Sequence, residues 1–199
     1  MITFLNADAL PAVRLGTGGP TTAAFVERGI SRFRDAAQFV ASLPYGRNSN
    51  RSDHLVVFRE NKGTCSTKHS LLARLAQEQN LPIALCIGIY EMDGLNTPGV
   101  GAVLEEHGLI SIPEAHCYLK RGSKRFDLTL VRGNVAREPI DRVFVEVEIS
   151  AEQVGGFKVQ LHQEFMHRWM KAVSLPRAFT FAELWAVREA CIHALETPT

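Results

Sequence analysis

The sequence predicts a single α+β domain in which an antiparallel sheet packs against helices, and three observations predict it. The 199 residues, 46% hydrophobic and 22% charged, suit one compact core. Several stretches space their apolar residues at the helical period, 65–79 most clearly. Others are dense in β-branched and aromatic residues, or alternate as Val143, Val145, Val147 and Ile149 do against Phe144, Glu146 and Glu148.

After a loose start containing Gly16 to Pro20, residues 22–43 place Phe25, Ile30, Phe33, Ala36, Ala37, Val40 and Ala41 at roughly helical spacing, and Pro44 closes the segment. The polar stretch 45–53 reads as a loop and 54–58 as a short extended run. Thr64 is an N-cap for the helix 65–79, on which Cys65, Leu72 and Ala76 fall within about 20° of one another. Cys65 therefore opens the buried face. Residues 81–90 read as a buried strand and 98–107 as a further helix, with 115–120, 125–131 and 143–149 as the remaining strands. Helices over 158–173 and 182–195 end the order, and Thr180 with Glu183 forms a capping box for the second. No internal repeat or composition break divides residues 1–199.

Charge narrows the partners. Lys and Arg total 22 against 21 Asp and Glu, so no chain-wide positive field exists to collect a phosphate backbone or an anionic membrane. The start of the chain lacks the basic residues and apolar run of a secretory signal, and nowhere do about 18 uncharged apolar residues run together. A soluble, cytoplasmic protein is expected. The four cysteines, at 65, 86, 117 and 191, form no CxxC pair, so free thiols are expected rather than a zinc site or a disulfide framework. Neither a Walker nor a dinucleotide glycine motif is present, and no cofactor is expected.

A cysteine accepts an acyl group as its thiolate, and the first turn of a helix stabilises that anion through unpaired N–H groups and the helix dipole. Cys65 is the cysteine so placed, whereas Cys86 lies mid-strand and Cys191 deep in a helix, both as buried small hydrophobes. The run from His116 to Asp127 resembles two short strands joined at Arg121-Gly122, a turn that sets His116 directly across from Asp127. Opposed Cβ atoms lie about 4.5–5.5 Å apart, close enough for a carboxylate to orient an imidazole. Packed against the Cys65 helix, the hairpin would complete a Cys-His-Asp site. Spacing alone leaves open an inert cysteine at a capping position with a surface His-Asp pair.

The run from Lys62 to Ala76, which opens Lys62-Gly63-Thr64-Cys65, together with Leu81-Pro82-Ile83, Ala115-His116-Cys117-Tyr118 and Phe126-Asp127-Leu128-Thr129, resembles the transglutaminase-like superfamily. The resemblance covers residues 59–129. It implies an α+β fold related to papain-like enzymes, with Cys65 as nucleophile, His116 as base and Asp127 as its partner. The chain departs from the pattern at Ser66 and Thr67, where many members have aromatic or acidic residues, and in having no Trp near the Cys65 helix. The superfamily holds crosslinkers, proteases, amidases and inactive relatives, so the resemblance bears on mechanism more than on substrate.

The function expected is cysteine-dependent hydrolysis of an amide or peptide bond in a peptide, protein or small amide. Acyl transfer to an amine and peptide binding without catalysis are the alternatives. The Cys65 N–H and the Asn61 side chain are the oxyanion candidates, with a loop-forming Asn as the alternative for Asn61. His69, one turn after Cys65, is a rival partner or half of a metal site. His116 and Cys117 point to opposite faces of a strand and make no metal corner, His107 stands at a helix end beside acidic residues, and His162 and His167 lie about 140° apart on their helix, so no metal is expected. Trp169 and Trp185 read as packing anchors, and Lys120, Arg121, Lys124 and Arg125 as a solvated turn rather than a nucleic-acid patch.

Overall fold

The computed structural model describes residues 4–129, 140 and 142–196. In chain order the elements are β1 (Phe4–Leu5), α1 (Pro20–Val26), α2 (Phe33–Ser42), α3 (Val56–Glu60), α4 (Cys65–Glu78), β2 (Ala84–Asp93), α5 (Gly101–Glu106), β3 (Ser111–Arg121), β4 (Lys124–Phe126), β5 (Val143–Ile149), α6 (Gly156–Ala172) and α7 (Phe181–Glu196). Helices pack on a five-stranded sheet of order β1-β4-β3-β2-β5, so the α+β class holds. Every pairing is antiparallel except β1 with β4, which makes the sheet mixed rather than purely antiparallel.

The interior strand β2, paired with β3 and β5, is covered on both faces, which explains its unbroken apolar run. On one side Leu85, Ile87 and Ile89 of β2 join Ala115, Cys117 and Leu119 of β3 under Leu71, Leu72, Leu75 and Ala76 of α4. On the other side Tyr90, Met92 and Ile112 meet Leu104 of α5, Met166 of α6 and Leu184, Val187 and Cys191 of α7. The alternation expected of β5 puts Val145, Val147 and Ile149 on the first cluster, while a register shift at Ile89/Tyr90 turns Val143 to the second.

Four expectations are corrected. The helical spacing over 22–43 belongs to two helices, because Gly29 adopts φ +76° and the Ile30 N–H closes back on the Phe25 carbonyl at 3.1 Å. Residues 54–58 are not extended: Asp53 Oδ1 accepts the Leu55 N–H at 3.0 Å and starts α3, which buries Val56 and Val57. The hairpin turns one residue later than Arg121-Gly122. Arg121 pairs with Lys124, and Gly122 takes φ +59° at the first of the two loop residues. The strand expected over 125–131 ends at Phe126, and its last positions, Leu130 and Val131, lie outside the described residues.

The helix ends follow their sequence signals. The Thr64 N–H donates to Thr67 Oγ1 at the start of α4, and the Thr180 N–H donates to Glu183 Oε2 at 2.7 Å while the Glu183 N–H returns to Thr180 Oγ1. At the far end of α4, Glu78 accepts the N–H groups of Thr21 and Thr22 and so satisfies the first turn of α1. Trp169 and Trp185 pack against the second cluster. Among the described residues no helix is long and apolar enough to cross a membrane.

Candidate active site

Because β4 reaches β3 only at Leu119 to Arg121, the edge of β3 around His116 has no strand on that side among the described residues. The amino end of α4 arrives there. Cys65 is the first residue of α4 and interacts with both His116 and Cys117, whose side chains leave opposite faces of β3. Its thiol therefore sits at the strand edge, not over one face.

His116 and Asp127 do meet, but not as cross-strand partners. His116 Nε2 lies 3.1 Å from Asp127 Oδ2, and the carboxylate is 2% exposed. Asp127 follows the last residue of β4, and its N–H still donates to the Leu5 carbonyl of β1 at 3.1 Å, while the residues after it are held by α4. His69 Nε2 accepts the Leu128 N–H at 2.8 Å, and Lys68 Nζ donates to the Thr129 carbonyl at 3.3 Å and to that of Leu43 at 2.6 Å. The Thr129 N–H turns back to Asp127 Oδ1 at 2.9 Å. Two successive residues of the Cys65 helix thus hold the segment that carries the aspartate.

His69 is excluded as the base by the same bonds. Its Nδ1 lies 2.8 Å from the Cys65 carbonyl and Nε2 takes a backbone proton, so the neutral ring donates from Nδ1. Burial lowers its pKa to about 4, outweighing Asp127, and its 3.9 Å approach to that carboxylate is not an ion pair. His116 behaves oppositely. Burial opposes its charge, but the Asp127 carboxylate and the Cys65 thiolate raise its pKa to about 10. With Nε2 facing Asp127, Nδ1 is the nitrogen for the thiol.

The Cys65 thiol is held well below its ordinary range by a hydrogen bond from the Cys117 thiol, against burial, and then by the charges of Lys158 and His116. Cys117, left as the protonated member, is pushed well above its usual value by Cys65 and by burial. Lys158 of α6 places Nζ 3.5 Å from Cys65 Sγ and 2.9 Å from Ser66 Oγ. Neither Cys117 nor Lys158 was legible as a site residue: one follows a histidine on the opposite strand face, and the other lies on a helix that only tertiary packing brings to the thiol.

Asn61 does not join them. It is exposed, forms the left-handed end of α3 at φ 49°, and lines neither cavity that reaches Cys65. The turn geometry, which asparagine tolerates well, is its structural reason.

Cys65 is 6% exposed, and among the described residues two cavities reach it. A cavity of about 50 Å³ includes His116, Asp127, Tyr90 and Thr129, and another of about 260 Å³ includes Lys158, Arg51, Glu114, Arg188 and Trp185. The second is walled by an ion pair between β3 and α7, in which Arg188 donates to both oxygens of Glu114 at 2.6 and 2.7 Å. His162 gives Nε2 to the Pro113 carbonyl at 2.8 Å and is kept neutral by burial. Cys86 and Cys191 are buried, and the four cysteines are free thiols.

No family model, curated protein or solved structure matches the chain. The site is therefore read from its own geometry. Among the described residues no cluster of His, Cys, Asp and Glu is placed to hold a metal ion. At the hairpin, Lys120 and Arg125 both bind Glu146 at 2.8 Å, which leaves only part of the basic cluster free of an acidic partner.

Proposed function

We propose that the protein is a cysteine-dependent hydrolase that cleaves an amide or peptide bond through a thioester acyl-enzyme. The observation that carries this reading is the thiol of Cys65 at a helix start, lining one cavity with His116, whose Nε2 is 3.1 Å from a buried carboxylate. Such a pair rests as thiolate and imidazolium, the form that attacks a carbonyl at neutral pH. The order and roles of the three residues also resemble those of the transglutaminase-like superfamily, the source of the expectation.

In the proposed reaction Cys65 Sγ bonds to the carbonyl carbon and the oxyanion is held by the Cys65 N–H, which as the first helical residue has no partner within α4. Collapse breaks the carbon–nitrogen bond, and the proton of His116 leaves with the amine. Neutral His116 then takes a proton from water, the hydroxide oxygen bonds to the thioester carbon, and the carbon–sulfur bond breaks. Acid is released and the ion pair is restored. Asp127 keeps the imidazole oriented and stabilises its charge throughout.

Hydrolysis is proposed ahead of transfer to an amine because the cavity on the His116 side, about 50 Å³, has room for the water that hydrolysis needs. The substrate class is a peptide, protein or small amide, with the acyl part in the larger cavity. We place the reaction in a reducing compartment, the cytoplasm, since it needs the free Cys65 thiol.

The test is the pH dependence of alkylation at Cys65, followed by mass spectrometry in the unaltered protein and in His116→Ala. An apparent thiol pKa well below about 8.5 that rises in the variant is expected. An ordinary value indifferent to His116 sinks the reading in favour of a non-catalytic binding module.

A further inference from the structure

Among the described residues, Lys158 is the one cation in direct contact with Cys65 Sγ that the reaction above does not use. It lies in the first turn of α6, is 7% exposed, and has Ser66 Oγ at 2.9 Å and Cys65 Sγ at 3.5 Å as its hydrogen-bond partners. Glu114 also acts on it through charge, but both carboxylate oxygens of Glu114 are engaged by Arg188. In the resting state the thiolate is thus the anion in direct contact with this ammonium.

Acylation removes that anion. Once Sγ belongs to a neutral thioester, the buried ammonium keeps only a neutral hydroxyl as its partner, an arrangement that is strongly unfavourable in a desolvated site. The charge is restored when the acyl group itself delivers an anion. The room for one is on the same side: the cavity that contains Lys158 is the larger of the two at Cys65, about 260 Å³, and Arg51 lines it as well.

We propose that Lys158 is a specificity residue that selects substrates whose acyl portion carries a carboxylate, received by Lys158 as the thiolate is consumed. The chemical class is an amide with an acidic acyl residue, its carboxylate a few bonds from the scissile carbonyl. This inference rests on the reading of Cys65 as the acyl acceptor.

Iodoacetate and iodoacetamide test it, being near-isosteric thiol reagents that differ in carrying or lacking a carboxylate. Their rates at Cys65 are measured at neutral pH by residue-resolved mass spectrometry in the unaltered protein, K158M, K158R and H116A. Iodoacetate is expected to react about tenfold faster or more in the unaltered protein, with the preference lost in K158M and partly restored in K158R. In the unaltered protein, glutarate is also expected to slow iodoacetamide where glutaramide does not, a measurement that stands even if K158M does not fold.

Fast alkylation that depends on His116 but shows no preference for iodoacetate, or a preference unchanged in K158M, overturns the role of Lys158 and leaves the acyl-acceptor reading intact. Slow alkylation by both reagents, indifferent to His116, overturns both.

Discussion

His69 Nε2 accepts the backbone N–H of Leu128 at 2.8 Å, so the helix that presents Cys65 also holds the residue next to Asp127. Replacing the ring by an apolar one leaves that buried N–H without an acceptor. For His69→Phe we expect a loss of about 1–3 kcal/mol in stability by urea unfolding. We also expect a higher thiol pKa at Cys65, because Asp127 loses its support. Unchanged thiol titration in a folded variant would separate His69 from the site.

The pH dependence of stability follows from the proton count. In the unfolded chain the reference values are 6.5 for histidine and 9.0 for cysteine; in the fold His116 rises to about 10 and Cys65 falls well below its reference. The raised histidine contributes stability that is present below 6.5 and lost as pH rises towards 10, while the depressed thiol contributes stability present above 9.0 and lost as pH falls. Between 6.5 and 9.0 each state binds one proton on this pair, so the pair gives a plateau there, with losses on either side. His69, lowered to about 4, steepens the acid limb, since the unfolded chain takes up its proton from 6.5 downward. Urea midpoints from pH 4 to pH 10 measure the curve. In His116→Ala the alkaline fall should become shallower without vanishing, because Cys117 is raised and Cys86 and Cys191 are raised to about 11 and these thiols also lose stability above 9.0, and an unchanged fall would contradict the assignment.

Gly88 faces His116 across β2 and β3 and has no Cβ for a structural reason. A Cβ there would stand 2.8 Å from Tyr118 Cε1 and 3.1 Å from its hydroxyl, and Tyr118 stacks on His116 with ring centroids 6.3 Å apart. Gly88→Ala should cost about 1–3 kcal/mol by overpacking, read as a lower Tm. The double variant Gly88→Ala, Tyr118→Leu should lose less stability than the two single changes summed. Full additivity would place the strain elsewhere.

Much of this architecture was legible without coordinates. The caps Thr64 and Thr180, the apolar run of β2 and the alternation of β5 are local signals, set by backbone hydrogen-bonding needs and by the periods of helix and strand. Those signals also placed Cys65 at a helix start and brought His116 and Asp127 to one hairpin. They failed where two local states compete within a few residues: at 54–58, where a run of four apolar residues after His54 fits either period and Asp53 bonds the turn that leads into a helix, and at the hairpin, where a one-residue change in the turn moves every pair.

The sequence by itself determined the elements with a clear period or cap, β2, β5, α4 and α7 among them, and which cysteine heads a helix. Only the tertiary structure decided how the site closes. Asp127 reaches His116 because Lys68 and His69 hold the segment after β4, Asn61 is turned away by its own left-handed geometry, and Lys158 comes from 93 residues downstream to stand beside the thiol. Contacts of that kind are made by burial, which brings together side chains whose separation along the chain carries no periodic signal, and each buried polar group must then find its partner there.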